Sequence, residues 1–116
     1  MNDVIDLKDA LQRVQDDKEL LAELFDIFWE DFPGKRNTIW AAMEKGDSVT
    51  FQQISHGLKG ATGNISARKM HENCIELDHM GKDGKLEGAR AKLELLDQQF
   101  EEFKLEAARL KKEFAG

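Results

Sequence analysis

A long amphipathic stretch near the C-terminal end of the chain places the strongest limit on the fold. Apolar residues recur there at alternating spacings of three and four without a break, which at about 100° per residue forms one stripe along an α-helix. The stripe consists of Leu86, Ala89, Leu93, Leu96, Phe100, Phe103, Ala107, Leu110 and Phe114. Such a stripe must be buried against other helices, either as a coiled-coil seam for another chain or within its own bundle. For a domain of this size we predict its own bundle, with this helix as the longest.

The N-terminal third predicts helices interrupted by a proline. A brief helix is expected within residues 1–15, with Asp6 as its N-cap, and a second helix is expected from Asp16. Pro33 removes a backbone donor and disfavours helical geometry at the preceding residue. We therefore expect the second helix to end or bend at Pro33, and a further helix to start with Pro33 in its first turn.

The following boundaries are marked by turn and capping residues. Gly46 and Asp47 form a stop signal and an N-cap, which opens a helix over residues 47–65, and Ser66 can cap the next helix. That next helix carries an apolar stripe of Ala67, Met70, Cys74, Leu77 and Gly81, and GKDG at 81–84 predicts a turn.

These elements predict an all-α fold, an antiparallel four-helix bundle with additional short N-terminal helices covering one end. The main helices are expected to start near Pro33, Asp47, Ser66 and Gly84. We expect a single domain over residues 1–116, in which residues 1–32 form the N-terminal helices, residues 33–114 form the bundle, and 47–65 is the site helix.

Composition narrows the classes of partner. The chain has 116 residues, a net charge of −6 and 34% charged residues, which suits a helical bundle and disfavours nucleic acid as a partner. Cys74 is the only cysteine, so an internal disulfide is excluded and a reducing compartment is expected. Neither a membrane-spanning run nor a signal-peptide pattern is present. We therefore predict a cytoplasmic monomer without direct membrane contact.

The helix at 47–65 carries the candidate chemistry. Its apolar residues form one stripe along the helix. The stripe consists of Phe51, Ile54, Leu58, Ala61 and Ile65. His56, Lys59, Gly60 and Gly63 fall together on the opposite side, because residues three, four and seven apart are neighbours on a helix. Glycine costs about 1 kcal/mol relative to alanine inside a helix, so the glycines need a reason. We expect them to clear the approach to an accessible imidazole that has a cation beside it.

The segment HGLKGATGN resembles the H-x-L-K-G signature of histidine-containing phosphotransfer domains, the HPt domains of two-component phosphorelays. The stretches ELLAELFDIFWEDFPG and ISARKMHENCIELD also read like this family, so the resemblance covers nearly the whole chain. It implies that His56 accepts a phosphoryl group from the aspartyl phosphate of a receiver domain and passes it to another receiver. Lys59 would stabilise the phosphoryl group, and Gly60 and Gly63 would let the receiver approach.

The resemblance also implies which parts of the chemistry lie elsewhere. The partners would be response-regulator receiver domains and a sensor or hybrid histidine kinase, and the magnesium ion would belong to the receiver, so the chain itself would hold neither cofactor nor metal. No phosphate-binding loop of the G-x-x-x-x-G-K type is present. We therefore expect a phosphoryl carrier without kinase activity.

One position departs from the family pattern. Several members carry a glutamine on the following helix that hydrogen-bonds the site, and the matching residue here is Asp78. A carboxylate would repel a phosphoryl group. We expect either that Asp78 points elsewhere or that another residue performs the glutamine's role.

Three less specific interpretations remain. His56 could be an ordinary surface histidine, although its neighbours Lys59 and Gly60 argue against this. His71 and Cys74 lie on adjacent turns as a metal-binding pair would, but no second cluster completes four ligands, and His79 is expected at the surface. The chain could also be a non-catalytic helical adaptor that binds a receiver or another partner without carrying phosphate.

Overall fold

A computed structural model describes residues 4–116, so residues 1–3, where the expected N-terminal lead begins, lie outside the described part. Five α-helices make up the described chain. They are α1 (Leu7–Arg13), α2 (Lys18–Lys45), α3 (Ser48–Asn64), α4 (Arg68–Asp83) and α5 (Ala89–Ala115).

The four long helices form a bundle, as the sequence predicts, although the first of them begins at Lys18 rather than near Pro33 and the last begins at Ala89 rather than near Gly84. Contacts join α2 to α3, α3 to α4, α4 to α5 and α5 back to α2, and the short connections make successive helices antiparallel neighbours. The all-α prediction is therefore confirmed. Within the described residues a single short helix, α1, precedes the bundle, where several had been predicted.

Helix α1 covers the end of the bundle at which α3 passes into α4. Asp6 caps α1 as predicted, since its side chain accepts from the backbone N–H of Asp9. The backbone N–H of Asp6 donates to the carbonyl of Ser66 at 2.9 Å, and its carboxylate lies 2.6 Å from the guanidinium of Arg68. These contacts attach α1 to the α3–α4 connection.

The expected end of one helix at Pro33 and start of another there are wrong, because α2 continues through that residue. Phe25, Phe28 and Phe32 precede the proline and Ile39 follows it, and all four side chains are buried. The ring of Phe32 stacks on Phe100 of α5 at 4.3 Å between centroids. A proline inside a helix costs about 3 kcal/mol, and burying several large apolar side chains at about 1.5–3 kcal/mol each outweighs that cost.

Continuity through Pro33 also changes which helix is longest. Helix α2 has 28 residues and α5 has 27, so the prediction that α5 is the longest is wrong by a single residue. The predicted stripe of α5 is buried from Ala89 to Leu110, while Leu86 and Phe114 at its two ends are partly buried. The stripe thus packs within the chain's own bundle.

Several predicted helix ends are shifted. The N-cap of α2 is Asp17, whose side chain accepts from the backbone N–H of Leu20, and Asp16 adopts a positive φ of 62°. Ser66 does not cap α4, because its hydroxyl donates to the carboxylate of Asp9 at 2.7 Å. The predicted turn at 81–84 begins later, since α4 continues to Asp83 and ends at Gly84 in the left-handed conformation.

Gly81 explains why α3 and α4 approach each other closely. A Cβ atom built at Gly81 would lie 2.7 Å from the Cα of Gln52, which is closer than real Cβ contacts. Only glycine fits between the helices at this point. The predicted stripe of α4 faces this interface and the core, and all its members are buried.

Cys74 lies within that stripe with 0% of its surface exposed. Burial raises the pKa of its thiol to about 12, although a hydrogen bond with Thr62 acts in the opposite direction.

Among the described residues, no helix combines the length and the apolar composition that crossing a membrane requires.

Candidate functional site

Helix α3 carries the site and begins as predicted. The carboxylate of Asp47 accepts from the backbone N–H of Thr50 at 3.1 Å, and the helix ends at Asn64. Its buried face differs from the predicted stripe, because Ile54 and Ala61 are only partly buried. The fully buried residues of α3 are Phe51, Ser55, Leu58 and Thr62.

Two of those buried residues are polar and satisfied locally. The hydroxyl of Ser55 donates to the carbonyl of Gln52 at 3.2 Å, and that of Thr62 donates to the carbonyl of Leu58 at 2.8 Å. Each hydroxyl therefore enters the core without an unpaired donor. Because the buried face of α3 includes Ser55 and Thr62, His56 lies on the solvent-exposed side of the helix.

His56 is accessible, as the sequence predicts. Its side chain is 62% exposed, and Nε2 has no hydrogen-bond partner among the described residues. Gly57 and Gly60 flank it along the helix, and a Cβ atom built at either glycine meets nothing within 4 Å. The helix surface beside the imidazole is therefore bare, so another molecule can bring its backbone close to the ring.

Asp78 of α4 lies directly behind His56 and is completely buried. Its Oδ1 accepts from the side-chain amide of Gln52 at 2.9 Å and lies 3.8 Å from Nδ1 of His56. Its Oδ2 lies 3.0 Å from Nζ of Lys59 and 3.3 Å from Nζ of Lys82. One carboxylate thus joins α3 and α4 beneath the candidate nucleophile.

The charge of this carboxylate is well compensated. Burial raises the pKa of Asp78, but hydrogen bonds from Gln52, Lys59 and Lys82 outweigh it and lower the pKa to about 2. Asp78 is therefore ionised at neutral pH. Since two ammonium groups share one carboxylate, the group around His56 has a net positive charge rather than the negative charge that Asp78 alone would give.

These contacts exclude one of the two alternatives that the sequence left for Asp78. The alternative that Asp78 points elsewhere is wrong, because its carboxylate faces the site.

Two residues of the site, Gln52 and Lys82, were not identified from the sequence. Gln52 lies four residues before His56 and Lys82 four residues after Asp78, so helical spacing could have placed both on the site once α3 and α4 were paired.

Lys59 is placed on the site, with its ammonium directed toward α4. The side chain is 27% exposed and contacts the buried carboxylate. The predicted role in stabilising a phosphoryl group requires the ammonium to turn toward His56. The long, flexible lysine stem permits such a movement.

Gly63 packs against another residue of this chain, whereas the sequence predicted that it faces an approaching partner. A Cβ atom built there would lie 3.2 Å from Cε1 of His71, so glycine at this position makes room for the His71 ring. Nδ1 of His71 lies 2.8 Å from the carbonyl of Lys59, which can only accept, and therefore Nδ1 is the donor. A part for Gly63 in partner approach stays a prediction, while its packing against His71 is observed.

The candidate metal pair does not assemble into a site. His71 donates to the backbone of α3, and Cys74 is buried in the core. Residues 4–116 contain no group of three or more histidine, cysteine, aspartate or glutamate side chains placed to hold a metal ion. His79 is exposed, as expected.

The arrangement provides a nucleophile and a charge environment. An exposed imidazole nitrogen can attack an electrophile that a second molecule presents over the bare helix surface. Lys59 and Lys82 contact the carboxylate behind the ring, and their positive charges favour an anion that becomes attached to the ring. This combination suits the transfer of an anionic group between proteins.

Comparisons with known proteins agree with this geometry. The family described as the Hpt domain matches residues 23–110. "Histidine-containing phosphotransfer protein 5" of Arabidopsis thaliana is 27% identical over 99 residues, which cover 81% of this chain and 63% of that protein. The chain therefore corresponds to less than two thirds of the length of this relative.

The fold also matches a solved structure. Histidine-containing phosphotransfer protein B of Pseudomonas aeruginosa PAO1 superposes with a TM-score of 0.88 at 20% identity, covering 97% of this chain and 98% of that one. This likeness concerns the fold, whereas the family match extends over most of the sequence and includes α3 with His56. On these grounds the chain belongs to the Hpt domain family.

Proposed function

We propose that this Hpt domain carries phosphoryl groups in a two-component phosphorelay and that His56 is the acceptor. The ring would take the group from an aspartyl phosphate of one receiver domain and pass it to an aspartate of another. The exposed imidazole on a helix surface kept bare by Gly57 and Gly60 is the observation that carries this proposal.

The chemistry requires little from this chain beyond position and charge. A ring nitrogen attacks phosphorus, the P–N bond forms, and the P–O bond to the donor aspartate breaks with its electron pair on the carboxylate. Phosphoryl transfer depends mainly on in-line placement and charge neutralisation. Lys59 would supply neutralisation by turning from Asp78 toward the phosphoryl oxygens, and Gly60 would let the receiver approach.

Magnesium would be supplied by the receiver, so the proposal needs no cofactor or metal on this chain. We also propose that the domain has no kinase activity of its own and is charged through receivers that a sensor or hybrid histidine kinase phosphorylates. Its place of action would be the cytoplasm, where such receivers work, and it would act as a monomer.

The test is phosphoryl transfer from a receiver domain carrying radiolabelled phosphate. Wild-type chain should gain label that is acid-labile and base-stable, as phosphohistidine is, and His56→Gln should gain none while its helicity and melting temperature stay near wild type. His79→Gln is the matched control, since His79 is also an exposed histidine and should leave transfer unchanged.

Transfer to His56→Gln at the wild-type rate would show that another residue is the acceptor. Binding of a receiver without any label on the wild-type chain would instead favour the alternative function, a non-catalytic helical adaptor.

A further inference from the structure

Backbone strain in the described chain lies around α1. Between residues 4 and 116, the non-glycine residues with a positive φ are Gln15, Asp16 and Ser66, at 54°, 62° and 55°. Gln15 and Asp16 form the turn between α1 and α2, and Ser66 lies in the α3–α4 connection that α1 contacts. This left-handed conformation is unfavourable for residues that have a Cβ atom, by a factor of about five or more in population. Both attachments of α1 therefore include strained backbone.

Ser66 occupies the position at the end of α3 where glycine is usual. Its N–H donates to the carbonyl of Gly63 at 3.1 Å, and the N–H of Ala67 donates to the carbonyl of Thr62 at 3.0 Å. This pair of bonds closes many helices around a left-handed residue, which is most often glycine because glycine has no Cβ atom. For α3 alone, glycine would therefore be more favourable than serine at this position.

The side chain of Ser66 contacts α1. Its hydroxyl donates to Oδ2 of Asp9 at 2.7 Å, and its carbonyl accepts from the N–H of Asp6 at 2.9 Å. Ser66 is buried, so both contacts are shielded from water. Glycine would keep the contact with Asp6 and lose the contact with Asp9. The serine therefore attaches α1 to the end of α3, although it strains that end.

The other contacts of α1 are few. A helix of seven residues is too short to persist without packing, and within α1 only Ala10 is fully buried. Ile5 and Val14, which flank the helix, add two buried side chains. An ion pair joins Asp6 to Arg68, whose side chain is 64% exposed, and exposed ion pairs contribute little. A small buried surface and exposed charges are features of segments that open locally.

We propose that α1 is a detachable strap, which leaves the α3–α4 connection in a local opening while the four-helix bundle stays folded. The hydrogen bond between Ser66 and Asp9 sets how often the strap opens. Opening frees Gln15 and Asp16 from the left-handed conformation, and this gain offsets part of the contacts that are lost. The opening itself does not depend on the proposed function.

The strap also forms one wall of a cavity of about 310 Å³ at the end of α3. Asp9 and Arg13 line the cavity from α1, and the ring of His71 lines it from α4. Nδ1 of His71 donates to the carbonyl of Lys59 at 2.8 Å. When α1 leaves, water gains access to this ring and competes for its hydrogen bond. Release of the strap should therefore loosen the turn of α3 that carries Lys59.

Hydrogen exchange of individual amides, measured by NMR at low urea concentrations, tests the strap in the wild-type chain. The N–H of Ala10 donates to the carbonyl of Asp6. This amide and those that follow it in α1 should exchange at least about tenfold faster than the core amides of α3 and α5. Their exchange should also depend less on urea, since a local opening exposes little surface. Equal rates with equal urea dependence would show that α1 opens only with the whole domain, which overturns the proposal.

Two variants of Ser66 separate the hydroxyl from the strain. Ser66→Gly removes both, whereas Ser66→Ala removes only the hydroxyl. In both variants the amides of α1 should exchange about ten- to a hundredfold faster than in wild type, the effect of losing a hydrogen bond to an ionised acceptor. The core amides of α3 should exchange about fivefold more slowly in Ser66→Gly than in Ser66→Ala, because only glycine relieves the strain.

Ser48→Ala is the matched control, because it removes a hydroxyl from the other end of α3 and should leave the exchange of α1 unchanged. If α1 exchanges at the wild-type rate in Ser66→Gly, the hydroxyl does not hold the strap and the proposal is wrong.

Ala10→Asp tests whether the bundle stays folded without the strap, because it places a charge on the buried side of α1. The amides of α1 should lose their protection, while those of α2–α5 should keep most of theirs. Unfolding of the whole domain in Ala10→Asp would refute a separable strap. Long-range ¹H–¹⁵N NMR should show His71 with its proton fixed on Nδ1 in wild type and a mixture of tautomers in Ala10→Asp. An unchanged tautomer would contradict the coupling of the strap to Lys59.

A regulatory consequence rests on the proposed function. Lys59 is the cation proposed to neutralise the phosphoryl group, so Ala10→Asp should take label from a phosphorylated receiver more slowly than wild type. The decrease should be roughly fivefold, the effect of one lost hydrogen bond. Uptake at the wild-type rate would overturn this consequence. Failure of the proposed function would look different, because wild type would then take no label while hydrogen exchange would still report the strap.

Discussion

The contrast between Gly60 and Gly81 gives the sharpest test of how α3 and α4 are packed. Both residues lie within helices, where alanine is more favourable than glycine by about 1 kcal/mol. At Gly60 a new Cβ meets nothing within 4 Å, whereas at Gly81 it would lie 2.7 Å from both Cα and Cβ of Gln52. The same substitution should therefore have opposite effects at the two positions.

For Gly81→Ala the added methyl group must push α3 and α4 apart. The atoms it meets belong largely to the backbone of α3, so no flexible side chain can move aside. Overpacking of this kind typically costs about 1–3 kcal/mol, and backbone contact places the cost at the upper end. After the gain in helix propensity, we expect the free energy of unfolding to fall by about 1–2 kcal/mol. The melting temperature should fall by roughly 3–12 °C.

Thermal and urea unfolding followed by circular dichroism measure both variants. Gly60→Ala should raise the free energy of unfolding by up to about 1 kcal/mol, because it gains propensity without a clash. If Gly81→Ala is as stable as Gly60→Ala, the two helices lie farther apart than described. The contacts between Gln52 and Asp78 would then need a different explanation.

Three further predictions concern the site itself. Gly60→Leu should be as stable as Gly60→Ala but should transfer phosphate more slowly when assayed with a labelled receiver. The decrease should be on the order of a hundredfold if the leucine displaces the receiver by about 1 Å. Normal transfer would show that this face of α3 is not the approach surface. Lys59→Ala should slow transfer or shorten the lifetime of the phosphorylated chain. In urea unfolding it should lower the free energy of unfolding by about 1–3 kcal/mol, because the buried carboxylate of Asp78 loses a donor. Lys82→Ala should lower it by less, because Lys82 is more exposed. Because the pKa of Asp78 is lowered to about 2 in the folded chain, its ionised form contributes roughly 2 kcal/mol to the free energy of unfolding above pH 4, and this is lost as the pH falls toward 2. The free energy of unfolding in urea between pH 5 and 2 should therefore depend less on pH in Asp78→Asn. An unchanged pH dependence would contradict the lowered pKa of Asp78.

The fold could be predicted where local pattern and packing agree. The stripe of α5, the Asp47 cap and the glycine at the end of α2 each act within a few residues, and the structure shows all three in place. Pro33 shows the limit of local reasoning. Its cost is visible in the sequence, but the stacking of Phe32 on Phe100 that compensates for it joins residues far apart in the chain.

The site divides in the same way. The exposure of His56 follows from the spacing of α3 alone. The position of Asp78 does not, because it depends on how closely α4 approaches α3, which Gly81 determines. Gly63 likewise looked like part of a bare surface, since its neighbour His71 comes from another helix. Residues that act across the α3–α4 interface could be found only after the two helices had been paired.

The burial of Cys74 makes the chain convenient for site-specific chemical labelling. Its thiol is fully enclosed and, with a pKa of about 12, carries almost no thiolate at the neutral pH used for maleimide reagents. A single cysteine introduced at the surface would therefore react alone, without removal of Cys74 and the cavity that removal would leave. Val49 is 67% exposed and lies two turns before His56 on the same side of α3. A fluorophore attached there would report the docking of a second protein over the imidazole.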